Sequence, residues 1–275
     1  MPRNGTNYGQ VLPAYDTKHF KILHYDLTLP GTVPKQDLHL ELTQDDAVGS
    51  TTGTTLWLGG QVLAAYLLSI KKSTKNGLKP KAIDLGSGIG YTSILLAASG
   101  YDTVATDIPI LTEGILSRNI QANKKQLAYI PSSGSIECHA LDWMTSPEDW
   151  PVPLREESFD LIFSSDSIYQ AALVQPLLRT IHALCLQSCA PAPCSTSNTP
   201  LQAPSSPARS PDIYIAYEHR DDAQYTSFTS QAEEMGFKIK IVPKGKIAKA
   251  VGNLYGWKAE VYEGITVLQM RLAQT

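Results

Sequence analysis

The chain has 275 residues, and its hydrophobic content of 43% is enough for the core of one α/β domain with additions. Its formal net charge of −3 provides no field for binding polyanions, so nucleic acid is not expected as a partner. No apolar run approaches the length of a membrane span, and the N-terminus lacks a signal-peptide core. Four cysteines without a matching histidine cluster favour reduced thiols over zinc. We therefore expect a cytoplasmic protein without a membrane segment or metal site.

The first 55 residues differ from the rest of the chain and predict a small β extension. Leucines alternate with polar residues over 38–42, and residues 20–25 also have strand character. Prolines and a glycine between these two segments indicate turns. A predicted helix over 55–70 follows. The predicted division is an extension over 1–55 and a main domain over 56–275.

The most informative segment is Ala-Ile-Asp-Leu-Gly-Ser-Gly-Ile-Gly at 82–90. An apolar strand containing Asp84 is followed by three glycines and then by a helix-like run that starts at Tyr91. This order of strand, glycine turn and helix N-terminus presents backbone N–H groups to a bound cofactor. A dinucleotide fingerprint would place its third glycine at position 91, where this chain has tyrosine. The pattern Asp-x-Gly-x-Gly-x-Gly instead resembles class I methyltransferases, which bind S-adenosylmethionine.

A second acidic residue, Asp107, ends the next short strand. A carboxylate at this strand tip, one strand from the glycine turn, can accept hydrogen bonds from both ribose hydroxyls of an adenosine cofactor. The alternative is a surface aspartate that caps the helix beginning near Pro109. The glycine turn and the acid occur at the expected separation, which favours ribose binding.

Strand and helix signals alternate through the remainder of the chain. Strand signals recur at 135–139, 159–164 and 212–217, and helical spacing occurs at 112–127 and 173–185. Residues 187–211 are rich in Pro, Ser and Ala and predict a flexible insertion. Two alternating runs, 237–242 and 265–272, are predicted as an antiparallel pair because no helix is predicted between them. The predicted fold is α/β: a Rossmann-like, seven-stranded sheet with helices on both faces and the N-terminal β extension.

Three further segments narrow the resemblance. They are Thr-Gly-Thr-Thr-Leu-Trp-Leu-Gly-Gly-Gln-Val-Leu at 52–63, Leu-Asp-Trp at 141–143 and Ser-Ser-Asp-Ser-Ile-Tyr at 164–169. Together they resemble methyltransferase family 16, the seven-β-strand protein-lysine methyltransferases, over roughly residues 37–273. The run at 251–257 is most similar to fungal members that modify elongation factor 1-alpha. The resemblance implies a protein-lysine N-methyltransferase that uses S-adenosylmethionine, with elongation factor 1-alpha as the candidate protein substrate.

The resemblance also implies which residues bind the cofactor: Trp57, Asp84, Gly86, Ser87, Gly88, Gly90, Asp107, Trp143 and Ser165. In this assignment Asp107 holds the ribose, and Trp143 packs on the adenine side. Ser165 lines the sulfonium pocket. An alternative for Trp57 is ordinary packing between helix and sheet, and Trp143 has a similar alternative as a loop residue.

Asp166 and Tyr169 are the candidates for catalysis. Methyl transfer from a sulfonium is an in-line displacement that needs a neutral, aligned nitrogen. Lysine is charged at neutral pH, so a carboxylate at a strand tip can attract and orient its ammonium, with Tyr169 as a wall of the lysine channel. Ser167 and Ile168 replace the prolines of the Asn/Asp-Pro-Pro-Tyr tetrad, which argues against amide or base nitrogens as substrates. The alternative is that Asp166 only caps the helix beginning near Gln170.

Other segments leave the function partly open. Residues 218–221 follow the fifth strand and are expected to border the substrate opening. Five lysines over 238–249 form a basic band, which is either a solvated face or a docking surface for an acidic protein. A small-molecule methyltransferase, which needs an enclosing lid, and a non-catalytic cofactor-binding module remain alternative functions. The intact Asp84, glycine turn and Asp107 argue against lost binding but do not exclude lost catalysis.

Overall fold

Two β-sheets organise the part of the chain that the computed structural model describes. This part comprises residues 6–7, 9–31, 35–45, 52–72, 77–190 and 210–273. A three-stranded sheet comes from the N-terminal segment, and a seven-stranded sheet comes from the remainder. Across these ranges, no helix combines the length and the apolar character that crossing a bilayer requires.

The small sheet is a long antiparallel hairpin with a short parallel addition. Its strands are β1 (Thr6–Asn7), β2 (Ile22–Leu29) and β3 (Gln36–Thr43). Strand β2 pairs with β3 along its whole length, and β1 runs parallel to the start of β2. Alternate hairpin residues are buried because successive side chains of a strand point to opposite faces. The predicted N-terminal β extension is therefore confirmed.

The large sheet contains seven strands from the main part of the chain. They are β4 (Lys81–Leu85), β5 (Asp102–Asp107), β6 (Ile136–Ala140), β7 (Leu161–Ser165), β8 (Asp212–Glu218), β9 (Phe237–Ile241) and β10 (Ile265–Leu272). Their order is β6-β5-β4-β7-β8-β10-β9, and β10 alone among them runs antiparallel to its neighbours. Strand order reverses between β4 and β7, so a crevice forms at the carboxyl ends of these strands. The predicted seven-stranded, Rossmann-like sheet is confirmed.

Nine α-helices lie within the described ranges and cover both faces of the large sheet. They are α1 (Ala14–Thr17), α2 (Leu58–Ser69), α3 (Tyr91–Ala98), α4 (Pro109–Leu111), α5 (Ser117–Tyr129), α6 (Val152–Glu156), α7 (Ala171–Cys189), α8 (Asp222–Glu234) and α9 (Lys244–Tyr255). A π-helical turn, Thr112–Leu116, joins α4 to α5. The hairpin, α2, α3, α5 and α9 share one hydrophobic core, and α6, α7 and α8 pack into a second core on the opposite face.

Helix α9 is a feature that the sequence pattern did not predict. It lies between β9 and β10, which are nevertheless antiparallel as expected. Its buried residues Ile247, Ala250, Val251 and Tyr255 follow a helical spacing, but this stripe contains only four residues. The glycines at 245 and 252 and the exposed lysines around them obscure this short stripe in the sequence.

Helix α7 also extends further than predicted, into the start of the Pro/Ser-rich segment. It continues to Cys189, so the first residues of the predicted insertion at 187–211 are helical. Gln187 donates a hydrogen bond of 2.7 Å to the Leu154 carbonyl, and Ser188 accepts one of 3.0 Å from the Phe159 N–H. These contacts order the end of the helix. Residues 191–209, which carry most of the predicted insertion, lie outside the described residues.

Two asparagine side chains of α5 join the hairpin to the main body. Asn119 accepts a hydrogen bond of 2.8 Å from the Thr43 N–H and donates one of 2.9 Å to the Thr43 carbonyl. Asn123 contacts Glu41 in the same way, at 3.0 and 2.7 Å. The spacing of one helical turn between Asn119 and Asn123 therefore matches the spacing of two residues between Glu41 and Thr43 on β3. The amides occupy the backbone positions that a neighbouring strand would otherwise fill.

Candidate active site

A cavity of about 220 Å³ opens at the carboxyl ends of the central strands. Its walls include nine of the eleven residues predicted for the site: Trp57, Gly86, Ser87, Gly88, Asp107, Trp143, Ser165, Asp166 and Tyr169. The start of α2 and the loops that follow β4, β5, β6, β7 and β8 bring them together. Asp84 and Gly90 do not line the cavity.

The glycine turn after β4 has the shape that its sequence predicts. Gly86 and Gly88 have φ angles of +80° and +55°, a region that residues with a Cβ rarely adopt. A Cβ on Gly86 would lie 3.2 Å from the Trp143 ring, and one on Gly88 would lie 3.1 Å from the Gly53 carbonyl oxygen. The backbone therefore forms a cradle beside the indole with no room for side chains.

Asp84 supports this turn from behind. Its Oδ2 accepts a hydrogen bond of 2.5 Å from the Ser93 hydroxyl, while its Oδ1 has no partner among the described residues. The pKa of Asp84 is raised to about 7 as the net result of burial, which raises it, of hydrogen bonds from Ser93 and Ser87, which lower it, and of the nearby Asp107, which raises it. Gly90 directly precedes α3 and has a similar position behind the turn. Both residues shape the cradle without reaching the cavity.

Asp107 lines the cavity with its carboxylate held by two backbone groups. Its Oδ2 accepts a hydrogen bond from the Gly88 N–H and its Oδ1 accepts one from the Ile108 N–H, both at 2.8 Å. Burial raises the pKa of Asp107, and these two hydrogen bonds lower it. An ionised carboxylate has about four acceptor positions, so capacity remains for further donors. Helix α4 has no side-chain cap, contrary to the alternative role considered for this residue.

Asp166 has the only positive φ angle, +53°, among the described residues other than glycine. Its carboxylate is buried against the start of α2, where a Cβ on Gly59 would lie 2.4 Å from Oδ2. Burial raises the pKa of Asp166 to about 6, while Arg220 and the N–H groups of Gly59 and Gly60 lower it. Neither oxygen makes a hydrogen bond of ordinary geometry within the described residues. Helix α7 has no side-chain cap, so Asp166 does not cap the helix beginning near Gln170. Its carboxylate lies against the start of α2 instead.

Trp57 forms the mouth of the cavity together with two cations. Its indole N–H donates a hydrogen bond of 2.7 Å to the Thr52 carbonyl, which fixes the ring. The Lys18 ammonium lies 4.3 Å from the ring centroid, and the Arg220 guanidinium lies 5.2 Å from it. Arg220 is also paired with Glu218 through a 3.0 Å hydrogen bond. The indole is therefore a surface that binds cations.

The N-terminal segment also reaches this mouth, which the sequence pattern did not reveal. The Tyr15 hydroxyl donates a hydrogen bond to Glu218. Gln61 of α2 holds the same segment by accepting from the Ala14 N–H at 2.8 Å and donating to the Leu12 carbonyl at 2.9 Å. A four-residue helix has too little periodicity to indicate such a contact from sequence. The expectation that residues 218–221 border the opening holds for Glu218 and Arg220, which line the cavity.

The cavity fits S-adenosylmethionine, the cofactor that this family and fold imply. Gly86 lets the backbone lie close to the Trp143 ring, which forms a flat aromatic wall of the cavity. Beside the cradle, a carboxylate with spare acceptor positions suits a ribose diol. Ile108, Leu111 and Leu141 add apolar walls of the kind that adenine rings contact.

Two solved structures that are similar to this chain are both methyltransferases. A TehB-like SAM-dependent methyltransferase from Corynebacterium glutamicum aligns over 78% of this chain and 88% of its own, with a TM-score of 0.42 and 15% identity. A predicted O-methyltransferase from Agrobacterium tumefaciens aligns over 78% and 81%, with a TM-score of 0.45 and 12% identity.

Sequence relatives are more specific. Protein-lysine N-methyltransferase rrg1 of Schizosaccharomyces pombe is 31% identical over 127 residues, which is 44% of this chain and 39% of that protein. EEF1A lysine methyltransferase 3 of Mus musculus is 32% identical over 105 residues, covering 38% and 40%. Its Xenopus tropicalis namesake is 25% identical over 146 residues, covering 53% and 58%. The chain thus spans about half the length of the curated relatives it matches. The model of the lysine methyltransferase family matches residues 34–195, and the chain belongs to this family.

Proposed function

We propose that the chain is an S-adenosylmethionine-dependent protein-lysine N-methyltransferase. The observation that carries the proposal is the cavity in which nine separately predicted residues meet, in a chain of the lysine methyltransferase family. No described feature favours a small-molecule substrate, because the cavity mouth is open and ringed by exposed side chains.

The cofactor is proposed to lie along the glycine cradle. The backbone N–H groups at 86–88 donate hydrogen bonds within the chain, to the Thr106 carbonyl and to Asp107, contrary to the expectation that they face a cofactor. The contacts proposed for the cofactor are therefore the Asp107 carboxylate, which accepts hydrogen bonds from its ribose, and the Trp143 ring, which packs beside its adenine. Ser165 lines the cavity between this cradle and Asp166. When bound, S-adenosylmethionine supplies a methyl group on a sulfonium, which is the electrophile for an amine.

The target lysine is proposed to enter between Trp57 and Tyr169. Both residues line the cavity, and the indole already accommodates two cations in this structure. With a pKa of about 6, Asp166 is mainly ionised at neutral pH, so its negative charge favours an incoming ammonium. The same elevated pKa makes Asp166 a better proton acceptor than an ordinary aspartate. We assign Asp166 to orienting the amine and Tyr169 to the channel wall.

Elongation factor 1-alpha is the proposed substrate, acted on in the cytoplasm. The proposal is supported by the names of the mouse and frog relatives, which are EEF1A lysine methyltransferases. The basic band over 238–249 is not assigned to this interaction, since its lysines are exposed and none lines the cavity.

The direct test is incubation of the chain with labelled S-adenosylmethionine and unmethylated elongation factor 1-alpha, followed by mapping of the labelled residue by mass spectrometry. We expect label on a lysine, and none when Asp107→Ala replaces the wild-type chain at low cofactor concentration. Label on a non-lysine residue, or binding of the cofactor without transfer to any protein, would contradict the proposal.

A further inference from the structure

Large apolar side chains surround the mouth of the cavity and are exposed to solvent. We call this set the rim: Tyr15, Ile108, Ile110, Met144 and Tyr169. Ile108 and Tyr169 line the cavity itself. Met144 directly follows the cavity residue Trp143, and the Tyr15 hydroxyl bonds to the cavity residue Glu218. The rim therefore extends the active-site surface outward. Its residues come from the segments that follow β5, β6 and β7 and from α1.

The rim is unusual in its concentration of exposed apolar residues. Ile110 is 66% exposed and Met144 is 62% exposed, although each could have been polar without disturbing the core. Half of the ten large hydrophobic side chains that are exposed within the described residues belong to the rim. A concentration of exposed apolar side chains beside a cavity is typical of a protein interaction site.

The charge around the rim adds a second, independent property. The segments that follow β5, β6, β7 and β8, namely 108–116, 141–151, 166–170 and 219–222, are called the acidic loops here although they include short helical turns. They contain seven acidic residues: Glu113, Asp142, Glu148, Asp149, Asp166, Asp221 and Asp222. Against these stands a single arginine, Arg220, which is already paired with Glu218 and lies over Trp57. Lys18, the other cation at the mouth, also lies over Trp57. An excess of negative charge favours a partner surface of positive charge.

We propose that the rim is the docking surface for the protein substrate, and that it takes a basic segment in which apolar side chains flank the target lysine. This inference rests on the proposed function and specifies the chemistry of its substrate. The apolar flanks contact the rim, the surrounding positive charges complement the acidic loops, and the lysine reaches past Trp57 into the cavity. The sequence next to the lysine, and not the lysine alone, then determines recognition.

The test measures methylation kinetics with rim variants and matched controls. Ile110→Ser and Met144→Ser change the rim without altering any residue that lines the cavity. The controls are Leu78→Ser and Tyr129→Ser, which change side chains that are 70% and 83% exposed at the opposite, amino-terminal edge of the sheet. Unmethylated elongation factor 1-alpha is the probe, and calorimetry records S-adenosylmethionine affinity for each variant.

We expect each rim variant to raise KM for the protein substrate by roughly 10- to 100-fold, the effect of losing one buried apolar side chain. Cofactor affinity and kcat should stay at wild-type values, and both controls should behave as wild type. The wild-type KM should also rise with ionic strength, because the acidic loops act through screened charges.

Three results would overturn the proposal. An unchanged KM in both rim variants would show that the substrate docks elsewhere, while the proposed function stands. A wild-type dimer that becomes monomeric in the rim variants would make a second copy of the chain the occupant. If the wild-type chain labels no lysine in elongation factor 1-alpha or in any protein of a hypomethylated extract, the proposed function fails and the docking proposal fails with it. If the wild-type chain labels a lysine in another protein, KM is compared between wild type and variants with that protein after its purification.

Discussion

Two aspartates at the carboxyl ends of β5 and β7, the strands on either side of β4, should have different effects when replaced by alanine. Asp107→Ala removes charge-assisted hydrogen bonds to the ribose, so we expect cofactor affinity to fall roughly 10- to 100-fold, equivalent to about 1.5–3 kcal/mol. Asp166→Ala should leave cofactor affinity much less affected and nearly abolish methyl transfer. Calorimetry and a turnover assay on each folded variant separate the two effects. Asp102→Ala, at the opposite end of the Asp107 strand, serves as the control.

Wild-type turnover by Asp166→Ala would refute the catalytic assignment and leave Asp166 as a partner of the α2 N-terminus. Equal loss of cofactor affinity in both variants would show instead that the two carboxylates belong to one binding unit. Either result changes the roles proposed for these residues without changing the fold.

The buried charge of Asp166 should reduce stability at neutral pH. Its pKa of about 6 in the folded chain lies above the ordinary value of 3.8, so the folded state binds a proton more tightly than the unfolded state. The stability that this provides is present below pH 4 and is lost as pH rises through 6. Asp166→Asn removes the charge, and we expect it to raise the free energy of unfolding at pH 7.5 by about 3 kcal/mol.

Urea unfolding at several pH values measures this effect. The gain from Asp166→Asn should shrink towards zero near pH 4, and exposed Asp149→Asn should show no comparable gain at any pH. A pH-independent difference between wild type and Asp166→Asn would mean that packing, and not ionisation, separates them. A gain in stability with a loss of activity would identify the buried charge as a cost that function imposes.

The sequence predicted the cofactor side of the site better than its substrate side. The glycine turn and Asp107 were predictable because neighbouring parallel strands place their carboxyl ends together. The surroundings of Asp166 and Trp57 were not, since Gly59 lies against Asp166 and Lys18 lies over Trp57 from segments distant in the chain. No local pattern encodes contacts of that range. The strands were also predictable from local patterns: apolar or alternating runs marked them to within a few residues, whereas the short stripe of α9 did not mark that helix.

At the scale of elements, the junction between α5 and β3 depends on two amides. Asn119→Ala would leave the N–H and carbonyl of Thr43 without these partners, at a site where Asn119 is almost fully buried. We expect the free energy of unfolding to fall by about 2–4 kcal/mol, because each unpaired buried polar group costs about 1–3 kcal/mol. Urea unfolding measures the loss.

Gln121→Ala is the matched control for this prediction, since it removes an exposed amide from the same helix. It should change stability by less than about 0.5 kcal/mol. Similar values for both variants would show that water replaces the Asn119 contacts at no cost and that packing alone holds the hairpin to α5.

At the scale of the whole molecule, the hairpin and the main sheet should unfold together. Seven hairpin side chains are buried in the core shared with α2 and α3: Leu23, Tyr25, Leu27, Leu29, Leu38, Leu40 and Leu42. Burial contributes about 1.5–3 kcal/mol for each, so the hairpin supplies about 10 kcal/mol or more, comparable to the net stability of a whole domain. The predicted division at residue 55 therefore does not separate two independent cores.

We expect a single calorimetric transition for the full chain, and no cooperative transition for a chain that begins at residue 52. Agreement between the calorimetric and van't Hoff enthalpies is the criterion for the full chain. A shortened chain that melts cooperatively near the wild-type temperature would show that the core forms without the hairpin.

The pairing of Asn119 and Asn123 with β3 has a consequence for solubility. An open strand edge is a template on which another chain can add a strand, and this is a common route to aggregation. Here side chains of the same molecule occupy the backbone groups of Glu41 and Thr43, and Asp37 and His39 further along the edge are polar. At Glu41 and Thr43, the backbone groups that could otherwise bind a foreign strand are therefore already paired with side chains of α5.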